Sequence, residues 1–174
     1  MAILRASLTA HVTSERRASA SGGTATEKAE YGRRGAMTSG TGTRQVDEAW
    51  SDTERSVAAA ANDDIDLQSL TLLDDDGNTL RSGISFSKLK GLYIKNTSAL
   101  DSTGHLVVGG AASNAWEGGG ALLEGAGDTI RIAPGRTLLI EDDEGMAVGA
   151  TSKVLRVAGV TATQTFDIWA VGNP

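Results

Sequence analysis

Apolar and polar residues alternate along most of this chain with a period of two, the repeat of a β-strand that has one dry face. The first segment sets the pattern. Leu4, Ala6, Leu8, Ala10 and Val12 fall on one face, and Arg5, Ser7, Thr9, His11 and Thr13 on the other. Residues 18–43 carry almost nothing to bury, so order there has to come from a neighbour. Over residues 44–61 two readings compete. Val46, Ala49, Trp50, Thr53 and Val57 fit helical spacing, with Ser51 and Glu54 as a capping box, and the alternative is a strand pair around Trp50.

After Asn62 the two-residue period is regular. Ile65 and Leu67 alternate with Asp64, Asp66 and Gln68, and the apolar run 70–73 ends in Asp74-Asp75-Asp76-Gly77-Asn78, whose Asp-Gly and Gly-Asn steps predict a hairpin tip. Ile84 and Phe86 begin the next strand, which continues with Leu89 and then Leu92 and Ile94. The inward parity slips by one residue around Lys90-Gly91, which predicts a β-bulge. Later strands are expected over 129–133, 137–141, 154–160 and 165–171, with Ile130, Ile132, Leu138, Ile140, Leu155, Val157, Phe166, Ile168 and Ala170 inward. Turns are expected at 133–136 and at the acidic segment 141–145. These elements predict an all-β fold, a jelly-roll-like antiparallel β-sandwich of about eight strands with an extended N-terminal arm. A composition change near residues 58–62 divides the chain into 1–60, an N-terminal strand and arm for assembly contacts, and 61–174, the sandwich domain.

Composition fits one such core. With 174 residues and 40% hydrophobic content, a single domain can bury roughly 70% of its unfolded surface. There is no cysteine, so packing and ladder hydrogen bonds have to hold the fold, as suits a protein made in a reducing cytoplasm. The N-terminal residues lack the continuous apolar segment of a signal peptide, and no stretch approaches the roughly 20 apolar residues of a membrane-spanning helix. Charge is uneven. Residues 1–60 hold 8 Lys and Arg against 7 Asp and Glu, residues 61–174 hold 8 against 15, and the net is -6. An acidic body with pI near 4.9 repels a phosphate backbone, so no nucleic-acid partner is expected. The doublets Arg16-Arg17 and Arg33-Arg34 read as solvated or interface charges.

No catalytic constellation is legible. The two histidines are His11, on the polar face of the first segment, and His105, at the start of Leu106-Val107-Val108, and neither has a nucleophile and acid at recognisable spacing. Scarce His and absent Cys argue against zinc, and the paired carboxylates sit in expected turns rather than across an aromatic cleft. The acidic runs 74–78 and 141–144 gather oxygen ligands without a full calcium loop and read as solvated tips, so no cofactor is expected. Asn96-Thr97-Ser98 matches a glycosylation sequon and reads as a turn after a strand, and the glycines at 118–120 read as a loop. Trp50, Trp116 and Trp169 are costly residues in an aromatic-poor chain. Each is a candidate subunit contact as well as a candidate core residue, and Arg33 and Arg34 join them as interface candidates. Trp116, beside Asn114 and a glycine loop, is also a candidate for stacking on a sugar.

Several ordered segments carry a likeness to known proteins. They are Thr38-Ser-Gly-Thr-Gly-Thr-Arg-Gln-Val-Asp-Glu-Ala-Trp50, then Asp64-Ile-Asp-Leu67, Lys90-Gly-Leu-Tyr-Ile-Lys-Asn96 and Val108-Gly-Gly-Ala-Ala-Ser-Asn114, followed by Gly127-Asp-Thr-Ile-Arg-Ile-Ala-Pro-Gly135 and Thr165-Phe-Asp-Ile-Trp-Ala-Val-Gly172. In this order, over residues 36–172, the chain resembles small virion structural proteins of tailed bacteriophages. The resemblance implies a jelly-roll-like sandwich repeated in many copies on a particle, with no enzymatic activity and no catalytic residues to carry over. The expected function is capsid decoration or cementing, with residues 1–45 reaching onto neighbours. Copies of itself, as a trimer, and the major capsid protein are the expected partners. A tail or neck component and a carbohydrate-binding host-attachment module, with Trp116, Asn114 and the acidic tips as its ligand face, are the alternatives.

Overall fold

Alternation becomes strand in most of the described residues. The computed structural model describes residues 6–20, 23–74, 76–100, 103–118, 122–123, 125 and 127–174, the side chains from Met37 onward. The described residues form no α-helix. Their strands are β1 (Ala6–Ala20), β2 (Gly23–Ser39), β3 (Gln45–Val46), β4 (Glu48–Val57), β5 (Asn62–Asp66), β6 (Leu70–Leu73), β7 (Thr79–Ile84), β8 (Lys88–Asn96), β9 (His105–Gly109), β10 (Thr129–Ile132), β11 (Thr137–Ala147), β12 (Val154–Val160) and β13 (Gln164–Asn173).

Eight of these strands define the topology. Taken in chain order, the first pairs with the last and so inward: β4 with β13, β5 with β12, β8 with β11, β9 with β10, every pair antiparallel. Pairings of β13 with β8 and of β12 with β9 then assemble two sheets, β11-β8-β13-β4 and β10-β9-β12-β5. A long hairpin rolled over on itself in this way is a jelly roll, the fold the alternation predicts. The inner faces supply Leu92, Ile94, Phe166, Ile168 and Ala170 from one sheet and Ile65, Leu106, Val108, Ile132, Leu155 and Val157 from the other, all buried in one cluster. Each fully buried Val, Leu, Ile or Phe contributes about 1.5–3 kcal/mol, so this cluster is the main source of stability.

The expected bulge is present. In β8, Gly91 lies opposite Val171 and Glu141, while Leu89 lies opposite Gly172 and Met146, so Lys90 is the extra residue against β13, whereas against β11 the extra residues are 142–145 of β11 itself. One residue inserted there lets Leu89 and Leu92 both point inward.

Several local expectations change. Residues 48–57 are strand, not helix: Glu48 and Trp50 are buried and Ala49 and Ser51 only partly, a two-residue period that pairing with β13 enforces. Ser51 and Glu54 form no capping box. Glu54 sits at φ 59 where the ladder is irregular, and its N–H donates to Asp167 Oδ1 at 3.0 Å. The sandwich thus takes in β4, upstream of the composition change near residue 60. The acidic segment 141–145 is not a turn. It lies inside β11, bulged opposite Lys90, and the chain reverses instead at 149–152, where Gly149 and Ser152 exchange backbone hydrogen bonds of 3.0 and 2.9 Å. Ile84 ends β7 rather than starting the next strand, and Phe86 crosses between strands with its N–H on the Leu67 carbonyl at 2.9 Å.

The N-terminal arm is a hairpin. β1 and β2 pair in unbroken register from Ala6↔Met37 to Ala20↔Gly23, so the low-complexity residues find their order in each other. In this register Glu15 stands opposite Lys28 and Arg16 opposite Glu27. The last residues of β2, Thr38 and Ser39, run parallel to β3, which leads directly into β4. β1 has extensive contact only with β2, and β2 only with β1 and β3, in a fifteen-residue ribbon about 50 Å long at ~3.3 Å per residue.

Candidate functional site

The root of the arm is the most heavily built polar feature of the described residues. Met37 is buried, and the Thr38 N–H donates to the Arg44 carbonyl at 3.1 Å. The loop 40–44 that follows has every side tied. Asp47 Oδ1 accepts from the Gly40 N–H at 2.6 Å and from Ser39 Oγ at 2.9 Å, and Gln45 Oε1 accepts from the Gly42 N–H at 2.9 Å. Asn173 Nδ2, near the end of β13, donates to the Gly40 carbonyl at 2.9 Å. From the bulge in β11, Asp143 takes Arg44 through both its backbone carbonyl and Oδ2, each at 3.0 Å, and Glu144 Oε1 accepts from Thr43 Oγ1 at 2.8 Å.

Lys90 completes this anchorage. The bulge that resets inward parity drops its side chain into the protein, 1% exposed, and its Nζ donates to the Gly42 carbonyl. Burial holds the ammonium below its ordinary pKa, and neighbouring Lys88 pushes the same way, against the attraction of Glu144, Asp142 and Asp143. The β11 bulge fits over it because residue 145 is glycine at φ 90, where a Cβ would stand 3.0 Å from Lys88 Cβ and 3.1 Å from Lys90 Cγ. Lys90→Met is expected to leave the sandwich folded and to release the loop. A charge-assisted hydrogen bond of about 1.5–3 kcal/mol is lost, so amides 40–45 should exchange at least about tenfold faster. Exchange mass spectrometry of that peptide checks it.

The second feature is the outer face of the β11-β8-β13-β4 sheet. Register sets Leu139, Tyr93, Trp169 and Ser51 in one row across all four strands. Trp169 is 39% exposed and Leu139 38%, and the Tyr93 and Trp169 rings meet edge to face at 4.9 Å and 73°. Val171 and Ala49, paired in the next row on the same face, extend the apolar strip. An aromatic row on the solvent side of a sheet is the kind of surface that binding partners cover.

The interface candidates separate on this geometry. Trp169 is exposed on the outer face of its sheet. Trp50 and Trp116 are not: they are 3% and 1% exposed inside the core cluster, and their Nε1 atoms donate to the Thr71 and Ala147 carbonyls at 2.9 and 3.0 Å. A buried indole whose N–H is satisfied has no face left for a subunit or a sugar, which removes Trp116 from a glycan platform. Arg33 and Arg34 lie on β2 opposite Ala10 and Thr9, and their side chains are outside the described residues, as is that of His11. The arm root itself is illegible by motif; its one sequence signal is a lysine inside the apolar run 89–94.

The other sites are structural. Asp74 Oδ1 accepts the N–H groups of Asp76 and Asn78 at 3.0 and 2.7 Å, so its carboxylate serves the turn; Asp75 lies outside the described residues. Among the described residues no three His, Asp or Glu side chains converge to hold a metal. Asn96 of the sequon is fully buried, with its Nδ2 on the Ile132 carbonyl and Gln164 Oε1, both at 3.0 Å. Arg55 of β4 bridges to β5 in the opposite sheet through both Asp63 oxygens at 2.8 Å.

His105 is half-buried with Nδ1 unpartnered, and burial, then nearby Arg131, lower its pKa from 6.5. The unfolded chain therefore binds this proton first as pH falls, and stability is expected to decline from about pH 6.5 downward, until the folded value is passed. His105→Gln should flatten that part of a stability-versus-pH curve from chemical denaturation. An unchanged curve contradicts the assignment.

Fold and site together define an all-β jelly-roll body with a rooted hairpin arm. Comparison with protein-family models, with curated proteins and with solved structures finds no match to this chain.

Proposed function

We propose that this protein is a non-enzymatic structural protein of a tailed-phage virion, a capsid decoration or cement protein that stabilises the particle through subunit contacts. It is made in the host cytoplasm and works on the virion, with copies of itself, as a trimer, and the major capsid protein as partners. One observation carries the reading: a closed jelly-roll body carries a hairpin about 50 Å long, packed on none of its sandwich strands extensively, from a root fastened by Lys90, Asp47, Asp143, Glu144 and Asn173. A two-stranded ribbon is marginal alone in water, so fastening its base so firmly makes sense where its length is completed by neighbours. Repetition on a lattice multiplies a modest contact of this kind. The order of the segments over residues 36–172 that resemble virion proteins points the same way.

Mass spectrometry of purified particles, intact and separated into heads and tails, tests it. Detection in heads at a copy number set by capsid symmetry is the expected result. Fractionation with tails moves the protein to the tail or neck reading. Absence from particles overturns the virion assignment altogether.

A further inference from the structure

The proposed assembly role leaves the arm's partner unnamed, and two surfaces of this one chain are complementary. Residues 1–39 hold six Lys and Arg against three Asp and Glu, a net of +3, and residues 40–174 hold ten against nineteen, a net of -9, which together give the -6 of the chain. A basic arm and an acidic body on the same molecule attract between copies. The hairpin is also two-faced. Its register sets Leu8, Ala10 and Val12 of β1 opposite Gly35, Arg33 and Tyr31 of β2, so β1 gives this stretch of one face its apolar positions, with Tyr31 beside them, and Thr9, His11 and Thr13 fall on the other face. That apolar face needs a cover, and within the described residues the only strand paired with β1 is β2. Neither strand of the ribbon packs extensively on the sandwich sheets of its own chain.

We infer that the hairpin of one copy docks on the outer face of the β11-β8-β13-β4 sheet of another, its apolar face over the row of Leu139, Tyr93 and Trp169. The contact is heterologous, arm to sheet, so successive copies link head to tail and close into a ring when the rotation permits. The trimer proposed above is one such closure, and the inference rests on that assembly reading. Basic positions such as Arg33, on the apolar face, and Arg34 meet an acidic body, so added salt weakens the association.

The test is sedimentation velocity on the full chain, beside Trp169→Glu, which changes an exposed residue, Val12→Glu in the arm, and the charge reversal Arg34→Glu. Circular dichroism checks that each variant keeps the sandwich. At about 100 μM, well above the Kd of a weak specific interface, the parent chain is expected to form oligomers that salt dissociates. Trp169→Glu and Val12→Glu should each be monomeric, and Arg34→Glu should raise the Kd severalfold. Mixing Trp169→Glu with Val12→Glu is the decisive step. One keeps its arm and the other its sheet face, so a 1:1 dimer and nothing larger is expected. A monomeric parent, or oligomers indifferent to Trp169→Glu, overturn the docking. Should either occur while the protein is found in particles, the virion reading stands and the arm belongs to another coat protein. Trp169-dependent association by a chain missing from particles would have the opposite meaning.

Discussion

Trp116→Ala is expected to lower stability by about 3–5 kcal/mol, the range for truncating a large aromatic in a packed core. The indole is 1% exposed among the residues that join the two sheets, and its Nε1 holds the Ala147 carbonyl at 3.0 Å, so the change opens a cavity and strands an acceptor. A domain of this size gains or loses roughly 2–4 °C per kcal/mol, so the melting temperature should fall by about 6–20 °C. Trp169→Ala gives the contrast, because its ring stands 39% exposed on the outer face. There the cost should stay near 1 kcal/mol or below. Equal losses at the two positions, read by thermal circular dichroism, would place Trp116 outside the core.

Gly172→Ala is the second large effect. Gly172 lies in β13 just where its register against β8 shifts past Lys90, and the strands draw together there. A Cβ at this position would overlap the Lys88 carbonyl oxygen and press on Phe86 Cδ1 at 3.0 Å and Leu89 Cα at 3.1 Å. The obstacle is backbone, which no rotamer change relieves, so the cost should reach about 3 kcal/mol. Gly149→Ala is the control. A Cβ there meets nothing within 4 Å, and the change should be neutral or stabilise by about 0.4–1 kcal/mol. Denaturant midpoints for the two variants check the bulge geometry directly, because without the bulge the two glycines would respond alike.

The sandwich was legible because a two-residue period is a local property that survives tertiary packing. Ile65, Ile132, Leu155, Phe166 and Ile168 all announce their inward side, and even the bulge at Lys90 shows as a slip in parity. Other features depend on which strands meet. Residues 48–57 carry both a helical and a strand pattern, and only pairing with β13 decides between them. The acidic run 141–145 reads as a turn, since its composition favours turns, yet its place opposite Lys90 makes it a bulge that holds the loop 40–44. Parity with Ile168 and Ala170 already turns Trp169 outward, but Trp50 and Trp116 have no such reference in sequence, because burial of an indole is set by the opposite sheet. The arm root brings Asp47, Lys90, Asp143 and Asn173 together across more than a hundred residues, and no spacing rule reaches that far.

An arm built to be completed by its neighbours has a direct signature in hydrogen exchange. In the dilute free chain, a ribbon paired only with itself should leave amides 6–36 exchanging freely, while the strands of the sandwich are protected. On purified particles the same amides should slow by about a hundredfold or more, as their apolar face is covered. Arm amides that exchange equally fast in both states would contradict an assembly role for the hairpin.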